Sequence, residues 1–374
     1  MKFSEIIGHK NVINSLKGIA ESGKIPHAVL FSGNSGIGKL RLARTFAQYI
    51  HCRNKIDGES CGKCSACIQN KIFINPDTHY IFPIIKRDGA QISQDLYENW
   101  KEMLSNHSYM PVEIWNDIIK AGNTQPAIYV TESENIIAKA SLSSYQENYK
   151  IFIIWQPEKM RPEAANKLLK IIEEPFEDTI FLLVSNEPEK ILPTIYSRVQ
   201  RFNLFPLQEE EIKDALINIY GLNDKEANEI ARLSDGSMAK AEEIAFRPNE
   251  ISEFSNLFKE MMRSCYGLQG KKIKEYSEKA ASFGREKLVR FLNYSSRMVR
   301  ENFIYNFSQP SLNRMTQDEE NFSIKFSPFI HAGNVEELSQ ELDKAIMDIQ
   351  RNANAKILMF DLFFIISRLL RTKN

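Results

Sequence analysis

A glycine-rich segment that ends in a lysine is the first feature of the sequence that could do chemistry. It runs from Gly33 to Leu40 and reads Gly-Asn-Ser-Gly-Ile-Gly-Lys-Leu. A short apolar run precedes it and a helical pattern follows it, which is the context of a phosphate-binding loop. Such a loop turns its backbone N–H groups toward a phosphate, and its lysine reaches the outer phosphates. The candidate phosphate-binding residues are Gly33, Ser35, Gly36, Gly38 and Lys39.

Two features that metal-dependent hydrolysis would need are missing. Leu40 stands where the motif has a Ser or Thr whose hydroxyl holds Mg²⁺. A second apolar run should end in acidic residues, but its last positions hold Trp155 and Gln156, which cannot bind a hard cation as carboxylates do. The sequence therefore predicts a nucleotide-loop architecture without metal-dependent hydrolysis. It leaves open whether ATP or ADP is bound, and a strand–helix turn without any ligand is the alternative.

Four of the five cysteines lie close together in the chain. They are Cys52, Cys61, Cys64 and Cys67, with the spacing C-x8-C-x2-C-x2-C. Four thiolates complete a closed tetrahedral Zn²⁺ site, so the role of the metal would be structural. The close C-x2-C-x2-C run also resembles an iron–sulfur pattern, but the Cys-Pro that follows in that pattern is absent. Zinc is the favoured prediction, with iron–sulfur and free thiols as alternatives, and Cys265 is interpreted as a core thiol.

The elements around these residues are predicted to form an α/β fold. Three continuous apolar runs, at 27–32, 150–155 and 179–185, are typical of buried strands. Helical patterns at 39–51 and 164–174 separate them. Buried strands that alternate with helices indicate a parallel sheet covered on both faces.

The rest of the chain is predicted to be helical. Residues 209–220 and 224–233 read as two amphipathic helices, and only helical spacing is found from about residue 249 onward. We therefore place domain boundaries near residues 206 and 248. Residues 83 to about 126 read as a helical insertion that carries Trp100 and Trp115, and its role cannot be read from the sequence.

Composition narrows the class of protein. The chain has 374 residues, and its 48 Lys and Arg balance its 48 Asp and Glu, which argues against a free-standing DNA-coating protein. Hydrophobic residues make up 43%, enough for two or three packed domains. Neither an apolar run of about 20 residues nor a secretion signal is visible, so we expect a cytoplasmic protein. Clustered thiols in that compartment favour a metal over a disulfide.

Several segments resemble the clamp-loader AAA+ proteins of bacterial DNA polymerase III. Phe3–Gly8 resembles the opening FxxIIG of that family, and Gly23–Ala28 resembles the segment before its phosphate loop. Asn75-Pro76-Asp77 is similar to the family's HPD, with Asn for His. Residues 164–175 are very similar to its AANALLKxLEEP segment, and Ser197-Arg198-Val199 occupies the place of its SRC motif. The cysteine cluster also lies where the family carries a zinc module.

The resemblance implies a three-part architecture. The expected parts are an AAA+ P-loop domain at 1–206, a small helical lid domain at 207–247 and an all-helical collar domain at 248–374 that holds subunits in a ring. The first would contain the zinc module at 52–67 and the insertion at about 83–126. The lid helix of the family normally carries a nucleotide-sensing arginine, and Ala239 stands at that position here, beside Lys240.

The resemblance also implies a role in replication. A family member that has lost the P-loop hydroxyl, the acidic pair and the sensing arginine is expected to be a non-hydrolysing subunit of the clamp loader, which loads the sliding clamp onto primed DNA. Arg198 would supply an arginine finger to the ATP site of a neighbouring subunit. The implied direct partners are the gamma/tau and delta subunits. Through the complex, the chain would also act on the sliding clamp and primed DNA. The holoenzyme that contains this complex would be a DNA-directed DNA polymerase, which is a nucleotidyltransferase. The main alternative is an autonomous ATPase of the gamma/tau type. Two further hypotheses, a P-loop kinase and a purely structural zinc protein, account for fewer of the motifs described above.

Overall fold

The computed structural model describes residues 1–87, 89–106, 109, 112–121, 124–146, 149–246, 248–308 and 313–372, with only the backbone of residues 113 and 248. The chain divides into two compact units, Met1–Glu242 and Glu243–Asn374. The three-domain division stays a prediction, and Arg247, the last residue of the predicted lid domain, lies outside the described residues.

A five-stranded sheet forms the centre of the first unit. The strands are β1 Ala28–Ser32, β2 Thr78–Ile81, β3 Lys150–Trp155, β4 Thr179–Ser185 and β5 Gln200–Asn203. Their order is β2-β3-β4-β1-β5, and every neighbouring pair is parallel. The predicted α/β fold with a parallel sheet is therefore confirmed. β1, β3 and β4 are buried along their whole length because helices cover both faces.

Most helices of the first unit lie between the strands in the chain, and the last three of them follow the last strand. They are α1 Lys10–Glu21, α2 Lys39–His51, α3 Ser65–Lys71, α4 Tyr97–Asn106, α5 Val112–Ile118, α6 Val130–Ala140, α7 Pro162–Glu173, α8 Pro193–Tyr196, α9 Glu209–Tyr220, α10 Asp224–Leu233 and α11 Met238–Phe246, the last of which crosses the unit boundary. Short 3₁₀ turns lie at Phe3–Glu5, Ser93–Leu96, Pro157–Lys159 and Pro188–Lys190.

The insertion packs into the main core of the first unit. Trp100 on α4 and Trp115 on α5 are fully buried against the sheet side that α2 also covers. The rings of Phe82 and Trp100 stack with centroids 4.2 Å apart, and Trp115 Nε1 donates a hydrogen bond to the Pro83 carbonyl at 2.7 Å. The described part of the insertion thus contains two helices, α4 and α5, and they pack on one face of the sheet.

The second unit is helical throughout its described residues. Its helices are α12 Pro248–Tyr266, α13 Gly270–Ala281, α14 Arg285–Tyr305, α15 Gln317–Phe326, α16 Val335–Gln350 and α17 Ala355–Leu369, with a 3₁₀ turn at Ser327–Phe329. They enclose a separate core that includes Phe258, Phe291 and Phe363. Among the described residues no helix is long and apolar enough to span a membrane.

Candidate functional site

The predicted phosphate loop joins the end of β1 to the start of α2. Gly36 and Gly38 have φ of 78° and 98°, a backbone conformation that favours glycine. Both glycines are also in close contact with other segments. A Cβ at Gly36 would lie 2.7 Å from the Ala239 Cβ, and a Cβ at Gly38 would lie 2.8 Å from Tyr109 Cε1. The glycines therefore let two later segments of the chain approach the loop.

Lys39, the lysine of the loop, points back into the loop itself. Its Nζ donates hydrogen bonds to the carbonyls of Gly33, at 2.7 Å, and Asn34. The side chain is 4% exposed, and burial lowers its pKa to about 7, while Glu158 acts in the opposite direction. The ammonium group that would meet a phosphate is thus engaged with carbonyl groups of the loop.

The segment with the predicted sensing position lies directly on the loop. Ala239 N donates a hydrogen bond to the Gly36 carbonyl at 3.1 Å, and Ser237 Oγ donates to the Ser35 carbonyl at 3.2 Å. The start of α11 and the residue before it are therefore attached to the loop by one backbone and one side-chain hydrogen bond. Its Ala239 side chain offers a methyl group where a nucleotide-sensing residue would offer a guanidinium.

Trp155 and the buried Gln156 fill the two places of the missing acidic residues. Trp155, at the end of β3, is 4% exposed, and its ring lies 5.1 Å from that of Trp100. Together with Leu40, Leu104 and Tyr109 it lines a cavity of about 30 Å³ beside the loop. Pockets that bind small molecules measure roughly 300–1,000 Å³, so this space is far smaller than a nucleotide requires.

One carboxylate near the loop was missed by sequence reasoning. Glu158 lies in the 3₁₀ turn after β3, where its Oε1 accepts a hydrogen bond from Asn186 N at 3.0 Å. Its Oε2 is buried without a hydrogen-bond partner among the described residues, and its charge acts on Lys39. The prediction considered only the last two positions of the strand, Trp155 and Gln156. An acidic residue in the turn just after them was the available signal.

The four clustered cysteines come together as the spacing predicts. Cys52 follows the last residue of α2, Cys64 precedes α3, Cys67 lies in the first turn of α3, and Cys61 lies in the connecting segment. Their sulfur atoms all lie within 4.8 Å of one another, and those of Cys61 and Cys67 are 3.9 Å apart. Tetrahedral zinc with bonds of about 2.3 Å would place sulfurs roughly 3.8 Å apart, so the donor set fits such an ion.

Backbone groups favour the thiolate of Cys61, whereas burial raises the pKa of Cys52 and Cys67 in the absence of a metal. The N–H groups of Lys63 and Cys64 donate to Cys61 Sγ at 3.4 and 3.3 Å, and they lower the pKa of Cys61 to about 6. The thiolate that this favours is the form of cysteine that binds metals. Glu59, in the same segment, accepts hydrogen bonds from Phe3 N at 2.7 Å and Lys17 Nζ at 3.0 Å. The cluster could therefore hold a metal that connects α2 to α3, and Glu59 connects the same segment to the N-terminal residues and α1.

Arg198 lies apart from both of these sites. It follows α8, its side chain is 38% exposed, and it does not line the cavity beside the loop. Its Nη1 donates to the Thr194 carbonyl at 2.7 Å, and its Nη2 forms an ion pair with Glu173, the last residue of α7. Surface ion pairs contribute about 0–1 kcal/mol, so an incoming anion can replace Glu173 at low cost.

Comparisons with known proteins place these features in context. A family model described as DNA polymerase III, delta subunit, matches residues 8–208. The DNA polymerase III subunit gamma/tau of Mycobacterium bovis is 29% identical over 206 residues, which is 54% of this chain and 29% of that protein. Subunit tau of Escherichia coli is 28% identical over 248 residues, or 64% of this chain and 32% of that protein. The chain thus spans about a third of the length of these relatives. A gamma subunit-related protein from Thermotoga maritima aligns with a TM-score of 0.43 at 14% identity, covering 96% of this chain and 99% of the other.

Proposed function

The chain belongs to the DNA polymerase III delta-subunit family, whose model matches more than half of it, and we propose that it is a delta-prime subunit of a bacterial clamp loader. In this role it hydrolyses no ATP itself and helps to load the sliding clamp onto primed DNA. Its partners would be the gamma/tau and delta subunits, and its location would be cytoplasmic.

The proposal rests mainly on the side chains around the phosphate loop. The loop keeps its glycines and Lys39, but Leu40 and Trp155 replace the groups that would hold Mg²⁺. Trp155 and Tyr109 also occupy the space beside the loop, and Lys39 donates to the loop's own carbonyls. These features support a subunit that has kept the nucleotide-loop fold while losing hydrolysis.

The runner-up is an autonomous ATPase of the gamma/tau type. The observation that favours it is Glu158, a partly buried residue whose Oε2 is fully buried and whose charge acts on Lys39. Mg²⁺ is often held by one or two carboxylates together with the phosphates of the nucleotide. Glu158 alone could therefore hold Mg²⁺ if the loop opened to admit a nucleotide. The related proteins named above also carry gamma/tau names.

The ion assigned to the cysteine cluster is zinc, and its role is structural. Four thiolates leave no open coordination position, so the metal would supply folding energy and no catalysis. Cys52, Cys61, Cys64 and Cys67 would hold it. We also assign residues 207–247 to a lid and 248–374 to a collar that joins the subunits.

The purified chain is expected to show no Mg²⁺-dependent ATPase activity above background. The reason is that Leu40 and Trp155 cannot support the metal. The measurement is phosphate release at saturating ATP and Mg²⁺, together with titration of a fluorescent ADP analogue, which should also fail to bind. Glu158→Gln serves as the matched variant because it removes a charge and keeps the shape of the side chain.

A different outcome would favour the gamma/tau alternative. Turnover that Lys39→Ala abolishes would show that the loop works as a catalytic site. Loss of the same turnover in Glu158→Gln would identify this carboxylate as the replacement for the missing acidic pair.

A chain that ends at Phe246, the last residue of α11, is expected to stay folded but fail to join the complex. The second unit has its own core, and the sheet and the cysteine cluster lie entirely in the first unit. The measurement is size-exclusion chromatography with the partner subunits, and zinc content and the thermal midpoint serve as folding controls. Normal assembly of the shortened chain would contradict the collar assignment.

A further inference from the structure

The insertion at about 83–126 has no role in the function proposed above, yet one of its residues lies in the core of α9, α10 and α11. That residue is Tyr109, which lies between the described ranges 89–106 and 112–121. Its side chain is 2% exposed. Among the described residues, it is the one buried member of this core that comes from outside residues 207–241. The insertion thus supplies an aromatic ring to three helices that follow it by about a hundred residues.

The same ring also meets the phosphate loop and the first turn of α2. A Cβ at Gly38 would lie 2.8 Å from Tyr109 Cε1, so the absence of a side chain at this position makes room for the ring. The Arg41 guanidinium lies over the ring, 5.6 Å from its centroid. Tyr109 also lines the cavity beside the loop, together with Leu104 from the same insertion. One side chain therefore contacts the loop, α2 and the core of α9–α11.

The apolar ring, rather than the hydroxyl group, makes these contacts. The Tyr109 oxygen is buried without a hydrogen-bond partner among the described residues. A buried hydroxyl without a partner opposes folding, whereas a buried aromatic ring favours it. Removal of the hydroxyl alone should therefore leave the contacts of the ring in place.

Only short-range polar contacts accompany the ring where α11 meets the loop. The bonds from Ala239 N to the Gly36 carbonyl and from Ser237 Oγ to the Ser35 carbonyl involve groups that water can also satisfy. Such bonds add little net stability, while burial of an aromatic side chain adds more. The ring of Tyr109 therefore strengthens an attachment that the hydrogen bonds alone would hold loosely.

We propose that Tyr109 fastens α9–α11 to the phosphate loop and makes this attachment independent of any nucleotide. The insertion then works as an internal replacement for a ligand, because its ring fills space beside the loop and contacts both partners at once. This goes beyond the loss of hydrolysis proposed above. It gives the chain a fixed arrangement of the loop and the three helices, in which adding a nucleotide changes nothing.

A second tyrosine of the insertion provides a matched control. Tyr97 is partly buried in the main core of the first unit, with its ring 6.2 Å from that of Tyr80. Its hydroxyl donates a hydrogen bond to the Phe73 carbonyl at 2.7 Å. Tyr97 does not belong to the core of α9–α11. Tyr97→Ala should therefore loosen the insertion without releasing the start of α11.

The test is hydrogen–deuterium exchange on the full chain, which reports local opening segment by segment. Tyr109→Ala should speed exchange about tenfold or more at residues 33–38 and 237–241, because both segments lose the ring between them. Tyr109→Leu, a milder change, should give a smaller increase in the same segments, and Tyr109→Phe should match the wild type. Exchange in β1 and in the second unit should stay unchanged, which serves as the folding control. Saturating ADP and Mg²⁺ should leave exchange in the wild type unchanged.

Three results would overturn the proposal. The first is unchanged exchange at residues 237–241 in both Tyr109→Ala and Tyr109→Leu. The second is an equal increase there in Tyr97→Ala, which would show a general loosening of the insertion. The third is slower exchange of the wild type when ADP is added, since the attachment would then depend on a ligand. ATP hydrolysis by the wild type would instead refute the proposed function and leave the exchange results standing, so the two failures are distinguishable.

Discussion

Replacing Cys64 with Ser is expected to remove zinc from the protein and to lower the free energy of unfolding of the first unit by several kcal/mol. The four sulfurs lie within 4.8 Å of one another, and the site joins the end of α2 to the start of α3. A serine oxygen is a poor substitute for a thiolate on zinc, so the remaining ligands would bind weakly. Metal analysis should find about one zinc per wild-type chain and almost none in the variant, and the thermal midpoint of the first unit should fall.

Cys265→Ser is the matched control for this experiment. Cys265 is buried in the second unit, where its Sγ donates a hydrogen bond to the Phe363 carbonyl at 3.3 Å, far along the chain from the cluster. This variant should keep its full zinc content. A strong chelator should reproduce the effect of Cys64→Ser on the wild-type chain. Iron in place of zinc, or a metal-free wild-type protein with the same thermal midpoint, would refute the assignment.

The buried strands were predictable because their signal is local. β1, β3 and β4 are continuous apolar runs, and their predicted bounds agree with the structure to within one residue. β2 and β5 were not singled out as strands, because each has only four residues. β5 reads Gln-Arg-Phe-Asn and is largely exposed, so it carries no apolar run. Such an edge strand is defined by its pairing with β1, which the sequence pattern does not record.

Contacts between distant segments account for what the sequence could not show. Amphipathic spacing identified the insertion as helical, but it could not reveal that Trp100 packs on Trp155 and closes the space beside the loop. The influence of Glu158 on Lys39 likewise depends on the way the chain folds, since the two residues are far apart in the sequence. Cysteine spacing, in contrast, is itself the geometric signal, and the predicted cluster is present.

Arg198→Ala is expected to leave the isolated chain intact and to slow the assembled clamp loader. Its ion pair with Glu173 is exposed, so its loss should change the free energy of unfolding by less than about 1 kcal/mol. An arginine that reaches a neighbouring ATP site accelerates phosphoryl transfer by about 10³–10⁵-fold where this is best measured. The total rate should fall only in part, because the other ATP sites keep their own arginines.

Three further variants separate this role from a structural one. Arg198→Lys should rescue little, because an ammonium lacks the planar fork of a guanidinium. Glu173→Gln should leave the ATPase rate of the complex unchanged, since it removes the ion pair and keeps Arg198. Arg201→Ala changes a nearby arginine that lies over the Tyr196 ring at 4.9 Å, and it should also have no effect on the rate.

The decisive measurement compares complexes that contain equal amounts of wild-type or variant chain. Steady-state ATP hydrolysis in the presence of clamp and primed DNA should be lower with Arg198→Ala, and clamp loading should be slower. If Glu173→Gln reduced the rate as much as Arg198→Ala, the ion pair itself would be what matters, and Arg198 would act by holding α7 and α8 together. If the incorporated Arg198→Ala chain supported the wild-type rate, Arg198 would be an ordinary surface residue. The chain would then contribute to the complex only as a scaffold.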